Sequence, residues 1–144
     1  MPADPNSSDY SLGVLGAGAM GRGIVQVAAA GGMNVKVFDT RRESVDDAVA
    51  FIGNMFTRAA ERGRMTVEEA AAATARVHPV DSLSDFAGCD AVVEAVVENL
   101  DVKRAVFAEL EAIVADDAIL ASNTSSLSVT TIASSCTHPN RVAG

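Results

Sequence analysis

Leu12-Gly-Val-Leu15-Gly16-Ala-Gly18-Ala-Met20-Gly21 is the stretch that decides the fold of this chain. A short apolar run leads into three glycines spaced G-x-G-x-x-G. An amphipathic segment follows, with Met20, Ile24, Val27 and Ala28 at helical spacing, and it stops at Gly31-Gly32. Strand, tight turn and helix in that order bring the free N–H groups of a helix's first turn to the end of a strand. Gly16 suits the tight turn, Gly18 leaves room for a ligand to approach the backbone, and Gly21 lets the helix press onto the strand. The glycine spacing alone occurs by chance in many loops, so the flanking elements carry the reading.

The next strand, Asn34–Phe38, carries Val35 and Val37 and ends in Asp39. A carboxylate at that place accepts hydrogen bonds from ribose hydroxyls and repels a 2′-phosphate. Turn and acid together predict a Rossmann-type dinucleotide fold that takes NAD(H) rather than NADP(H). Arg41 and Arg42, just beyond, are the opposing signal, since cations there can hold the extra phosphate. Thr40 and Glu43 have the spacing of a capping box for a long helix whose apolar face is Val45, Ala48, Val49, Ile52, Phe56 and Ala59, running to about Arg62. Gly63 breaks it, and Thr66 with Glu69 forms a second box that opens a short alanine-rich helix to about Ala75.

Further strands are expected at Arg76–Pro79, Ala91–Ala95, Ala118–Ala121 and from Arg141 onward, with helices near Leu100–Ala115 and Ser128–Ser135. Val106, Leu110, Ile113 and Val114 form the inward face of the first of these helices. Short apolar runs alternating with amphipathic ones are the mark of βα units. The predicted class is therefore α/β, a Rossmann-type doubly wound parallel sheet of about six strands with a helical hairpin insertion after strand two. Its ligand crevice lies at the carboxyl ends of strands one and four.

The chain has 144 residues, 49% hydrophobic and 21% charged, with a net charge of −8. That length suits one domain with a real core. Residues 1–10 read as a loose leader before a domain at 11–144. The acidic balance argues against nucleic acid as a partner, and phosphate binding then has to come from backbone dipoles and a few placed cations. No apolar run reaches membrane-spanning length, and the start lacks the pattern of a signal peptide, so the expected setting is cytoplasmic. Cys89 and Cys136 are expected as buried thiols, and no residues have metal-ligand spacing.

Ala91-Val-Val-Glu-Ala-Val-Val-Glu98-Asn-Leu-Asp-Val-Lys103 and Ala121-Ser-Asn123-Thr-Ser125-Ser-Leu127, together with the glycine turn extended to Ile24, resemble the NAD-binding domain of 3-hydroxyacyl-CoA dehydrogenases over almost the whole chain. The resemblance implies oxidation of the 3-hydroxyl of an acyl-CoA, with hydride transfer to NAD. It implies that Gly16, Gly18, Ala19, Met20 and Gly21 bind the cofactor in the turn and that Asp39 holds its ribose. Val96, Val97 and Glu98 line the cofactor after strand four, and Lys103 contacts the nicotinamide-side ribose region or the acyl-CoA. Ser125 hydrogen-bonds the substrate oxygen beside the nicotinamide, with Asn123 in support. In such enzymes the helical hairpin leans over the CoA, where Arg58 and Arg62, one helical turn apart, are candidates for its phosphates.

The family's catalytic base is a histidine in a His-Phe-Phe-Asn-Pro run just after the sixth strand, and these residues do not include it; neither His78 nor His138 stands in its place. The expectation is an N-terminal domain without its helical, dimer-forming C-terminal partner, binding NAD with little or no turnover. Two other readings remain open. One is a β-hydroxyacid dehydrogenase of the 6-phosphogluconate type, which shares the Gly-x-Gly-x-Met-Gly turn. The other is a non-catalytic NAD-binding or structural module.

Overall fold

The computed structural model describes residues 3–124 and 128–144. Strands β1 (Ser11–Leu15), β2 (Asn34–Phe38), β3 (Val77–Pro79), β4 (Ala91–Glu94), β5 (Ile119–Ser122) and β6 (Val142–Ala143) form one sheet. Their order is β3-β2-β1-β4-β5-β6, and every pairing is parallel. The chain reverses direction across the sheet between β1 and β4, which opens a crevice beyond the carboxyl ends of those strands.

Parallel strands need crossovers, and the helices divide between the two faces. Helices α1 (Ala19–Ala30), α2 (Arg42–Glu61) and α3 (Val67–Ala75) cover β1 to β3, burying Val14, Val35 and Val37 against Val25, Ala29, Val45, Ile52 and Phe56. On the other face α4 (Leu100–Ile113) and α5 (Val129–Ala133) pack Phe107, Leu110 and Ile132 onto Leu15, Val92 and Leu120. The link from β3 to β4 is a single 3-10 turn, Leu83–Phe86, whose Phe86 is fully buried in this second cluster. Cys89 and Cys136 are buried and free, and burial pushes both thiols above their ordinary pKa.

The hairpin insertion is present as α2 and α3, and Thr66 with Glu69 caps α3 reciprocally as its sequence suggests. Thr40 and Glu43 do not cap α2. Its N-cap is Arg41, without a side-chain cap, because the Asp39 carboxylate takes the Arg41 amide instead. The apolar spacing of α1 is borne out in part, since Ile24 and Ala28 pack against the core. Gly21, Val25 and Ala29 are buried, while Met20 and Val27 are 63% and 74% exposed. Helical spacing links residues on one face but does not say which face meets the sheet, and Gly21 has to lie inward. The leader is tied down at its end. Tyr10 sits in the core, and its carbonyl accepts the Asn34 amide at 3.1 Å.

Candidate functional site

The crevice starts at the glycine turn. Gly16 has φ +108°, and a Cβ there would meet the Ala95 carbonyl oxygen at 2.6 Å, so only glycine fits between β1 and the end of β4. A Cβ on Gly21 would stand 1.8 Å from the Gly16 carbonyl oxygen, which is the close helix-on-strand approach expected of the third glycine. Gly18 has open space around its Cβ position and caps α1 without a side chain. The first amides of α1 lack intrahelical partners, as at the start of any helix.

Asp39 closes the turn from the other side. Its Oδ2 accepts the Ala17 amide at 2.9 Å, its Oδ1 accepts the Arg41 amide at 2.9 Å, and the Gly16 amide donates to the Phe38 carbonyl at 2.8 Å. The acid after β2 is thus fastened to the glycine turn. Arg42 turns toward Asp46 and Asp81, while the exposed Arg41 lies 3.9 Å from Glu43. A cavity of about 500 Å³ brings Gly16, Gly18, Asp39, Val96 and Val97 together, with Leu15 and Phe38 at its base. Ala19 and Met20 lie outside its lining. They border a separate, largely apolar groove of about 740 Å³ along α1, together with Ile24, Val27 and Met33.

Beyond the cavity, at the ends of β4 and β5, lies a chain of polar groups. Lys103, on the first turn of α4, is 0% exposed, and its Nζ stands 3.1 Å from Glu94 Oε2 and 2.6 Å from Glu98 Oε1. Glu94 is equally buried; its Oε2 accepts the Val96 amide at 2.6 Å and its Oε1 accepts the Ser122 hydroxyl at 2.7 Å. Glu98 Oε2 accepts the Thr124 hydroxyl at 2.8 Å. Lys103 is therefore neither a surface cation nor open to a ligand directly; it reaches the crevice through two carboxylates. Asn123 is exposed just past β5, its amide donating to the Glu94 carbonyl at 2.8 Å. Ser125 lies outside the described residues.

Glu94, Ser122 and Thr124 did not stand out as site residues in the sequence. The available signal was an acid inside the apolar run Ala91–Val97, since a carboxylate on a strand buried on both faces needs a partner. Arg58, Arg62 and Arg64 all line a concavity of about 290 Å³ between α1 and the end of α2. His78 is exposed on β3 at the sheet edge, and His138 precedes the last 3-10 turn; neither lines the crevice.

Residues 11–144 match the family described as 3-hydroxyacyl-CoA dehydrogenase, NAD binding domain. The chain belongs to this family. It is 42% identical over 133 residues to a probable 3-hydroxybutyryl-CoA dehydrogenase of Deinococcus radiodurans, a match covering 92% of the chain and 48% of the relative. It is 41% identical over 131 residues to the fatty acid oxidation complex subunit alpha of Psychrobacter arcticus, covering 91% of the chain and 18% of the relative. The crystal structure of 3-hydroxybutyryl-CoA dehydrogenase from Escherichia coli K12 superposes with a TM-score of 0.90 at 36% identity, covering 93% of the chain and 28% of that structure. The chain spans less than half the length of each of these relatives.

NAD is the cofactor of this dehydrogenase family, and the residues present fit it. The uncapped N-terminus of α1, the open space over Gly18 and the carboxylate of Asp39 are groups that would suit a diphosphate and ribose hydroxyls. Among the described residues, no group of three acidic, His or Cys side chains could hold a metal, and no helix is long and apolar enough to cross a membrane.

Proposed function

We propose that this chain holds NAD(H) along the β1–β4 crevice for an enzyme that interconverts 3-hydroxyacyl-CoA and 3-oxoacyl-CoA. The observation that carries the cofactor half is the tie between Asp39 and the Ala17 amide, which presents acid and glycine turn as one rigid surface. In this reading the α1 amides bind the diphosphate, and Asp39 accepts the adenosine ribose hydroxyls and disfavours a 2′-phosphate. Val96 and Val97 exclude water along the path toward Asn123. The cofactor supplies the site that accepts or donates the hydride. Asn123 and Ser125 orient the substrate oxygen by hydrogen bonds as charge develops on it. Glu98, with Lys103 behind it, borders the nicotinamide side. Arg58 and Arg62 meet the CoA phosphates, which their shared concavity with Arg64 supports.

The acyl-CoA substrate class rests on the family and on the names of its relatives. The 144 residues on their own are proposed to turn over little substrate. Neither histidine stands at the crevice, and a positioned base contributes roughly 10²–10⁴-fold to such a step. In the whole enzyme a helical second half is proposed to supply that base and the dimer contact. Titration calorimetry of the chain with NADH and NADPH tests the cofactor reading: saturable NADH binding and much weaker NADPH binding are expected. Absence of NADH binding refutes it. Robust acetoacetyl-CoA reduction by these residues alone would refute the assignment of the base to the other half.

A further inference from the structure

Glu94 touches no open surface, yet three parts of the crevice wall hang on it. Its side chain holds the Val96 amide at 2.6 Å on the strand-four side and the Ser122 hydroxyl at 2.7 Å on the strand-five side, and its backbone carbonyl holds the Asn123 amide at 2.8 Å. Lys103 meets the same carboxylate at 3.1 Å and carries the link on to Glu98 at 2.6 Å, whose other oxygen accepts the Thr124 hydroxyl.

Stability alone does not account for this arrangement. A buried ion pair loses so much hydration that an apolar pair of similar volume often serves as well or better. A cation in the first turn of a helix also opposes the helix dipole, and Lys103 stands in that turn of α4. What an apolar pair cannot do is hold one amide, one hydroxyl and one ammonium in fixed directions. Directional bonds between the ends of β4, β5 and α4 set the two sides of the crevice relative to each other, and binding geometry depends on such supports to within a fraction of an ångström.

We propose that Glu94 is a positioning residue for the crevice. With Lys103 as its counter-charge, it fixes the Val96–Glu98 turn and the Ser122–Thr124 segment in the arrangement that receives the dinucleotide. The proposal rests on the reading of this crevice as an NAD site, and two separate readouts test it on the whole 144-residue chain.

The first readout is the amide NMR spectrum of Glu94→Gln and of Ser122→Ala. Shifts confined to Val96, Asn123, Thr124 and their neighbours are expected, with the rest of the sheet unmoved. The second is NADH affinity by calorimetry. A loss of about tenfold is expected for folded Glu94→Gln, a smaller loss for Ser122→Ala, and a double variant no weaker than Glu94→Gln because both act through one link. Should Glu94→Gln not fold, Ser122→Ala leaves the ion pair in place and carries both readouts.

A folded variant whose Val96 and Asn123 amides stay where they are overturns the proposal. So does one whose amides move while NADH binds within twofold of the parent. A parent chain that fails to bind NADH sinks the cofactor reading instead, and the amide shifts still decide whether Glu94 holds these segments.

Discussion

Gly21 in the glycine turn and Asp39 after β2 meet opposite demands. Gly21 has no room for a methyl group: the atom it would strike, the Gly16 carbonyl oxygen, belongs to backbone fixed between β1 and β4. Gly21→Ala should therefore cost at least about 3 kcal/mol, the upper end of ordinary overpacking, read as a fall in the urea midpoint. Asp39 has room but is bound to its role by charge. Asp39→Asn keeps the shape and an acceptor for Ala17 while removing the anion proposed to meet the ribose hydroxyls. Hydrogen bonds to a charged acceptor contribute roughly 1.5–3 kcal/mol. NADH affinity should accordingly fall by about 10- to 100-fold, and discrimination against NADPH should narrow, both measurable by calorimetry.

Helix α4 joins the sheet core to the crevice, and two of its residues respond to different perturbations. Phe107 is fully buried among Leu15, Val92 and Leu120 in the second core cluster. Phe107→Ala should cost about 3–5 kcal/mol and leave a folded variant with a much lower urea midpoint. One turn further toward the C-terminus Glu111 accepts the His138 amide at 2.8 Å and the Thr137 amide beside it, tying α4 to the segment before β6. Desolvation pushes this carboxyl up, but the bonds from His138 and Thr137 outweigh it, so its pKa ends below the usual glutamate value. The anion is the form bonded in the folded state. Its stabilisation is complete above the unfolded value of roughly 4.3 and is lost as pH falls through the lower folded value. Glu111→Gln should therefore be less stable than the parent near pH 7, and the gap in denaturation midpoint should close as the pH is lowered below about 4.

For the whole molecule, the uneven division of helices between the two faces leaves part of the sheet open. Ile119 pairs with Ala91 in register and shares its face, but it is 44% exposed, and the flank of α1 carrying Met20 and Val27 is open too. Parallel sheets are normally covered on both sides. Val27 thus behaves as a surface residue despite its apolar spacing with Ile24 and Ala28. Val27→Ser should change unfolding free energy by no more than about 0.5 kcal/mol, as for other surface positions. A loss above 2 kcal/mol would mean that this flank is packed in solution.

Local chemistry was enough to place the six strands to within a residue or two, the glycine turn, the acid after β2 and the α2–α3 insertion, because each depends on spacing and backbone preference within a few residues. The sequence motifs also pointed to the family. Which face of α1 lies inward was decided by the close contact of Gly21 with Gly16, a matter of where two elements meet. The Thr40–Glu43 cap lost to Asp39, whose carboxylate already bridged the turn and the start of α2. Lys103 and Glu94 became a buried pair only when β4, β5 and α4 came together. A charged residue is stable inside a protein only if its partners arrive in three dimensions, and nothing in local spacing reports their arrival.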